Sequence, residues 1–341
     1  MQSLEVVAVT KAPGPDSLQL KPTAIADPPA GHARVRVEAA GVSYGDLLFQ
    51  RGVVPGGPKP PFTPGCDLTG VVESAGAGVT SVRPGDRVTA LVVSGGYSTV
   101  ANVPAERLVK VPDGLDPVRV AAVTLNYFIA YQMLHRVARV TSGQRILVHG
   151  ASGGVGLAFL QLAAQIGGVT AWGTTSAANF DIVKDNGATP IDYRAGDFSR
   201  VVRAAGGHLD AVFDHIGGTQ FLKSYSVLRR GGILVAYGQN AALRNGRPDM
   251  LAGAVGFLGG IAAPKLLPDG RRTMFYNAWL LEKTEPEAYR TDLTAVLALL
   301  AQGKIAPKSV ATMPIAQASK AFQLLEDGVS GKLVLDCAQA A

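Results

Sequence analysis

Residues 145–156 read RILVHGASGGVG, and residues 157–167 continue as LAFLQLAAQIG. Ile146 to His149 form a short, largely apolar and partly β-branched run, the pattern of a strand buried in a parallel sheet. Gly150, Ala151, Ser152, Gly153, Gly154, Val155 and Gly156 follow, and the next residues have helical periodicity. Strand, glycine-rich turn and helix, in that order, are the setting a dinucleotide-binding fingerprint needs. The pattern is Ala151-x-Gly153-x-x-Gly156, with alanine where the strict motif has its first glycine. Glycine lets such a turn reach positive φ and lets backbone approach a pyrophosphate, while the helix N-terminus offers unpaired N–H groups and a positive dipole end. The competing reading is a βα turn that holds no ligand. Agreement of all three elements favours the fingerprint.

The bulk composition narrows the class. At 341 residues the chain has room for two domains, at roughly 150 residues each. An apolar fraction of 47% with 41 glycines and 21 prolines suits a globular α/β protein rich in turns. Charged residues make up 17%, and 32 Lys and Arg against 26 Asp and Glu leave +6 without long runs. Nucleic-acid binding is therefore not indicated, and a mild positive field suits an anionic cofactor. Cys66 and Cys337 lie too far apart in sequence for a CxxC zinc or redox motif. The opening residues have no apolar core of signal-peptide length, and no segment reaches ~18 consecutive apolar residues. The expectation is a soluble cytoplasmic protein without stable membrane insertion.

Residues 1 to about 110 read as short strands punctuated by Gly and Pro: LEVVAVT, HARVRVEAAGV, LTGVVESAGAG, DRVTALVV and GGYSTVANVP. Regular short strands suggest a small barrel. From Leu115 the character changes. PVRVAAVTLNYFIAYQMLHRVA is helical and opens on Pro117, a helix-start signal. Beyond the fingerprint, strands VTAWGTT, TPIDYR, DAVFD and ILVAYG alternate with helices, which implies βαβ units in a doubly wound parallel sheet. MLAGAVGFLGGIAA, residues 250–263, breaks the rhythm. It reads as a packed sheet edge or subunit contact in preference to a membrane-docking segment. Arg244, Arg247, Lys265, Arg271 and Arg272 flank it as surface charges, or with one of them meeting a cofactor phosphate.

AAGVSYGDLLFQRG (residues 39–52) and PPFTPGCDLTGVVESAGAGVTSVRPGDRV (residues 60–88) resemble the GroES-like catalytic domain of medium-chain dehydrogenases/reductases. With the GASGGVG turn, the resemblance runs over essentially the whole chain. It implies an α/β fold: a GroES-like, partly open β-barrel catalytic domain and a Rossmann domain with a doubly wound parallel sheet. The expected division is 1–122 for the first part of the catalytic domain, 123–265 for the NADP-binding Rossmann domain, and 266–341 for the return to the catalytic domain. A homodimer is also implied.

An acidic residue about 20 positions beyond the fingerprint binds the adenosine ribose of NAD. Counting on from Gly156 reaches Trp172, Gly173, Thr174, Thr175 and Ser176, with no Asp or Glu. An acid there would repel a 2′-phosphate, so hydroxyls in its place favour NADPH. Relatives resembling quinone oxidoreductases place Lys or Arg a few residues on, where this chain has Asn179. Tyr193 matches an aromatic beside the adenosine phosphate in such relatives, and Arg194 adds charge. The expected cofactor contacts are Ala151 to Gly156, Thr174, Ser176, Tyr193 and Gly238, which ends the strand ILVAYG. Simple strand-end capping is the alternative for Thr174 and Ser176.

Zinc-dependent members of the family ligate metal with a cysteine in the stretch matching GVSYGD and a histidine in that matching PGCDLTG. This chain has Ser43 and then Cys66-Asp67, adjacent residues that do not readily converge on one ion. No metal site is expected. Without a Lewis acid, reduction of a quinone or activated C=C is easier than alcohol oxidation, because the carbonyl delocalises the incoming charge. The resemblance thus narrows to the zinc-independent quinone oxidoreductase, zeta-crystallin-like branch. Its first domain presents Tyr44 and Asp46 to the nicotinamide. Tyr44 is a candidate hydrogen-bond and proton donor or a half-buried aromatic, and Asp46 a helix cap. Asn126 is a candidate substrate or cofactor contact or a helix-entry hydrogen bond. Enoyl-thioester reductases of the superfamily carry a tyrosine after the segment matching FQRG, where this chain has Val53 and Val54. His149 and His215, at strand ends, are expected to be structural. The implied activity is NADPH-dependent reduction of a small-molecule quinone or enone. A specialised enoyl or alkene reductase, and a nucleotide-binding protein with little turnover, remain the alternatives.

Overall fold

The computed structural model of the chain describes residues 1–338 apart from 13, 55, 245–246, 308–309 and 329. It forms two compact units, Met1–Phe128 with Ala288–Ala341, and Ile129–Glu287. The first unit is therefore made from both ends of the chain.

The first unit opens on an antiparallel ribbon of β1 (Gln2–Ala8) and β2 (Leu18–Ala24). Then come β3 (His32–Val42), α1 (Tyr44–Arg51), β4 (Asp67–Ala75), β5 (Arg87–Leu91), β6 (Val100–Pro104), β7 (Val109–Lys110) and α2 (Pro117–Thr124). β3 alternates apolar with polar residues over its first half, and its Val35 and Val37 point into the core with Leu68, Val88 and Val103. It pairs with β4 and β6, both antiparallel. α2 starts where Pro117 predicts, with the Asp116 carboxylate accepting the Arg119 N–H at 2.9 Å. α3 (Asn126–Gln132) carries the chain into the second unit.

The second unit is the alternation expected from the sequence. It runs β8 (Arg145–Val148), α4 (Gly154–Ile166), β9 (Thr170–Thr175), α5 (Phe180–Lys184), β10 (Ala188–Asp192), α6 (Phe198–Ala204), β11 (Leu209–Asp214), α7 (Gln220–Ser226) and β12 (Leu228–Ala236). A short hairpin of β13 (Leu243–Arg244) and β14 (Arg247–Pro248), α8 (Met250–Phe257), β15 (Arg272–Phe275) and α9 (Ala278–Thr284) complete it. The sheet order is β10-β9-β8-β11-β12-β15, and every pairing is parallel. Chain order reverses between β8 and β11, the place where open α/β sheets bind ligands beyond the carboxyl ends of their strands. Leu147, Val212 and Leu234 from three adjacent strands fill the core with Phe198 and Phe221 from the helices.

The chain returns to the first unit through α10 (Pro286–Ala301), β16 (Val310–Pro314), α11 (Ala318–Glu326) and β17 (Lys332–Asp336). β17 pairs with β16 in parallel and with β3 antiparallel, so the first unit's sheet closes with strands from opposite ends of the sequence.

The two units divide at 128/129 and 287/288, where the division read from the sequence lies at 122/123 and 265/266; β15 falls within the second unit, completing the parallel sheet beside β12. Residues 250–257 are helix, not sheet edge; Gly260, just beyond, lies so near Phe221 that a methyl there would come within 2.4 Å of the Phe221 Cβ. Met250, Leu251, Val255 and Leu258 stay exposed, and the side chains of Arg244 and Arg247 lie outside the described residues. Among the described residues, no helix is long and apolar enough to cross a membrane.

Candidate functional site

The fingerprint sits between β8 and α4 as its sequence requires. Gly150 has φ +63°, and a Cβ there would lie 2.5 Å from His215 Cε1. Only glycine fits that backbone and that space. A Cβ on Gly156 would meet the Gly150 carbonyl at 2.2 Å, so the helix can press against its own entry turn only without a side chain. Gly153 is the N-cap of α4, and no side chain caps it. The first N–H groups of the helix are thus left to a ligand, and they suit a pyrophosphate.

Ala151, the departure from the strict motif, has a structural counterpart. It is fully buried, and a Cβ on Gly173 of β9 would fall 2.4 Å from its methyl. The strand supplies the missing side chain's space where the turn does not. The Ala151 N–H donates to the Thr174 carbonyl at 2.9 Å, tying the turn to the end of β9.

The residues predicted to contact the adenosine ribose gather at the ends of β9 and β10. The Thr175 hydroxyl donates to Ser152 Oγ at 2.8 Å, and Asn179 donates to Ser176 Oγ at 3.3 Å. Tyr193 is exposed, follows β10 directly, and carries the Arg194 guanidinium 5.5 Å from its ring centre. Thr174 is different. Its hydroxyl is buried against His149 and the Gly150 N–H, at 3.0 and 3.3 Å, and so supports the turn from below. Gly238 lies against the turn after β11, where a Cβ would meet the His215 carbonyl at 2.9 Å.

The first unit holds the other candidates. Tyr44 is the first residue of α1 and is half-buried against the core. Burial, and then the Glu326 carboxylate, push its phenol above the ordinary tyrosine range, so it stays protonated. Asp46 closes a capping box: its Oδ2 accepts the Ser43 N–H and hydroxyl, each at 2.8 Å, while its own N–H donates to Ser43 Oγ. Tyr97 donates to the same oxygen at 2.8 Å. Asn126 opens α3, and Lys332 Nζ donates to its Oδ1 at 3.4 Å. Lys332 also lies 3.9 Å from Asp67 Oδ2, both side chains being buried. The Asp67 carboxyl is pushed up to about 7 by burial, which outweighs the Lys332 charge. A Cβ on Gly41 would come within 2.6 Å of that carboxylate, so glycine is required beside it.

These residues do not suit a zinc ion. The Ser43 hydroxyl is committed to capping, and burial holds the Cys66 thiol well above its ordinary value, which disfavours the thiolate. Asp67 faces an ammonium, which repels a cation. Among the described residues, no group of three or more His, Cys, Asp or Glu side chains can hold a metal.

Sequence reasoning misses two clusters, Asp67–Lys332 and the polar group around His149, Ser224 and Asp214. Their partners lie far apart in the chain. The available signal is a polar residue at the end of an apolar strand, as with His149 after Val148 and Asp214 after Phe213.

Comparison with known proteins agrees with this arrangement. Residues 29–113 match the alcohol dehydrogenase GroES-like domain, and residues 187–335 match the zinc-binding dehydrogenase family. A synaptic vesicle membrane protein VAT-1 homolog from Danio rerio is 33% identical over 90% of this chain, which spans 64% of that relative's length. A quinone oxidoreductase from Pongo abelii is 32% identical over 73% of this chain and 77% of its own. The structure of Escherichia coli quinone oxidoreductase complexed with NADPH superimposes with a TM-score of 0.85 at 26% identity, covering 98% of this chain and 99% of that one. With both halves of its fold matched and the fingerprint in place, this chain belongs to the medium-chain dehydrogenase/reductase family of oxidoreductases, among the quinone oxidoreductases and their VAT-1 relatives.

Proposed function

We propose that the protein is an NADPH-dependent oxidoreductase that reduces quinones or enones by metal-free hydride transfer. The observation that carries this reading is the end of β9. Thr175 and Ser176 stand there with no acid in the strand itself, beside Asn179 and the Tyr193–Arg194 pair, while the Thr174 hydroxyl is turned inward to His149 and Gly150. The Ser176 hydroxyl and the Arg194 guanidinium can donate to a 2′-phosphate, which a carboxylate in the strand would repel. The solved relative that holds NADPH supports the same choice.

When bound, the nicotinamide supplies a hydride from its C4. The chain's own residues bind, orient and protonate. Gly154, Val155 and Gly156 receive the pyrophosphate on the first backbone N–H groups of α4, the Gly153 N–H being held by the Gly150 carbonyl at 3.0 Å. Tyr44, held protonated, donates to the substrate oxygen and delivers the proton as charge develops there. Asn126 accepts from Lys332 through its carbonyl, which leaves its amide hydrogens as the donors it would offer a substrate or cofactor. Asp46 serves as the cap of α1, its Oδ2 taking the Ser43 N–H, the Ser43 hydroxyl and the Tyr97 hydroxyl. The same reading carries a cytoplasmic homodimer, to be checked by light scattering and fractionation.

The test is NADPH oxidation with a panel of quinones, enones and enoyl thioesters. Turnover of quinones or enones with NADPH preferred over NADH is expected. Equal efficiency of the two cofactors overturns the NADPH assignment. Tight NADPH binding without turnover of any acceptor makes the protein a nucleotide binder instead.

A further inference from the structure

Beneath the fingerprint turn runs a chain of four buried polar side chains, and its hydrogen-bond directions can be worked out from one end. Asp214 closes β11. Its Oδ1 accepts the N–H groups of Ile216 at 2.8 Å and Gly217 at 3.3 Å, and its Oδ2 accepts the Ser224 hydroxyl at 2.6 Å. Three donors on one carboxyl group call for the ionised form, which only accepts. The Ser224 hydrogen is therefore used, and its oxygen takes the His149 Nε2–H at 3.0 Å. A neutral imidazole protonated at Nε2 presents a lone pair at Nδ1. Thr174 must then donate to Nδ1, at 3.0 Å, and its remaining lone pairs face the Gly150 N–H at 3.3 Å. Burial disfavours the imidazolium, consistent with this neutral tautomer.

None of the four side chains is more than 2% exposed. Apolar residues of similar size would fill the space without the cost of desolvating polar groups. The chain's ends show what it does. One end fixes the turn after β8, through Gly150. The other fixes the turn after β11, through Ile216 and Gly217. β8 and β11 are adjacent strands at the reversal of chain order, so both turns stand at the carboxyl edge where a dinucleotide binds.

We infer that Thr174, His149, Ser224 and Asp214 are positioning residues for the dinucleotide, a one-directional hydrogen-bonded chain through which a single carboxylate sets both ligand-facing turns. This rests on the dinucleotide reading given above but does not depend on which cofactor is preferred. None of the four is assigned contact with the reacting atoms.

The experiment measures three quantities on the full chain: the dissociation constants of NADPH and NADH by fluorescence titration, the melting temperature without cofactor, and the His149 tautomer by long-range proton–nitrogen NMR. The variants are Ser224→Ala, Thr174→Val and Thr174→Ser. The native protein is expected to show the Nε2–H tautomer. Ser224→Ala is expected to raise the dissociation constants of NADPH and NADH about tenfold while kcat at saturating cofactor stays within about twofold, and Thr174→Val to raise both dissociation constants by a similar factor, where loss of a direct 2′-phosphate contact would raise that of NADPH alone. Thr174→Ser is expected to restore affinity. Should Ser224→Ala fail to fold, the two Thr174 variants carry the test. An Nδ1–H tautomer, or a lowered melting temperature with unchanged affinity, overturns the positioning role alone. A native protein that binds neither NADPH nor NADH overturns the dinucleotide reading, and the positioning role with it.

Discussion

Ala151 and Gly173 share one methyl's worth of space. Gly173→Ala sets two methyl carbons 2.4 Å apart and crowds Val183, which is expected to destabilise the protein by about 1–3 kcal/mol and weaken cofactor binding. Ala151→Gly combined with Gly173→Ala moves the methyl to the strand and is expected to recover most of that loss in a denaturation midpoint; no recovery would place the conflict at Val183. Tyr44→Phe keeps the ring and removes the proton. A drop in kcat of about 100-fold with KM little changed is expected from loss of a general acid, and an unchanged rate hands that role to water. Residues of this kind divide by legibility. Gly150, Gly153 and Gly156 were readable because the demand on them is local, a turn and a close approach. Thr174 was readable as a strand-end hydroxyl but not as the turn's support, since its partner His149 lies 25 positions away.

Whole elements were legible where periodicity and a boundary residue coincide. The strands and helices of the second unit from β8 to β12 and the start of α2 at Pro117 follow from such signals. β15 was not, because Arg272–Phe275 is four residues long, follows an irregular segment, and owes its extended form to the edge offered by β12. The helix α1 shows how an element can occupy a position associated with metal chemistry for another purpose. Ser43 is its N-cap, and Ser43→Ala removes both the acceptor for the Asp46 N–H and a donor to a buried carboxylate. The expected cost is about 0.5–2 kcal/mol, read as a lower denaturant midpoint with an unchanged slope. A variant as stable as the native chain would mean that the Ser43 hydroxyl contributes nothing and that the Ser43 N–H and Tyr97 suffice to hold Asp46.

At the scale of the whole molecule, two buried charge systems oppose each other in pH. Asp67, held at about 7 against an ordinary 3.8, keeps its proton in the folded state where the unfolded chain has lost it. That contribution is complete below 3.8 and is lost as pH rises to about 7. His215, pushed down to about 4 by burial, binds its proton more readily unfolded, so its contribution is present above 6.5 and lost as pH falls toward 4. His149 acts in the same direction as His215. The facing charges are Lys332 and Asp46 for Asp67, and Asp214 for both histidines. Removing the carboxyl with Asp67→Asn is expected to leave the histidine effect unopposed, so the urea midpoint rises with pH from 4 to 6.5 more steeply than in the native protein. An unchanged slope would mean that Asp67 is ionised throughout this range.

The discontinuous first unit has a consequence for how the protein is made on the ribosome. The second unit is contiguous and is complete once residue 287 has emerged, so the nucleotide-binding unit is free to fold during translation. The first unit, although synthesis begins with it, waits for the last strand. β17 brings both the antiparallel partner of β3 and Lys332, the ammonium opposite Asp67. Until that strand is released, the nascent barrel has an open edge at β3 and a carboxylate with no counter-charge. The unit whose synthesis begins second can thus be completed first, and a chain stopped short of residue 332 has all of the second unit but lacks β17 of the first.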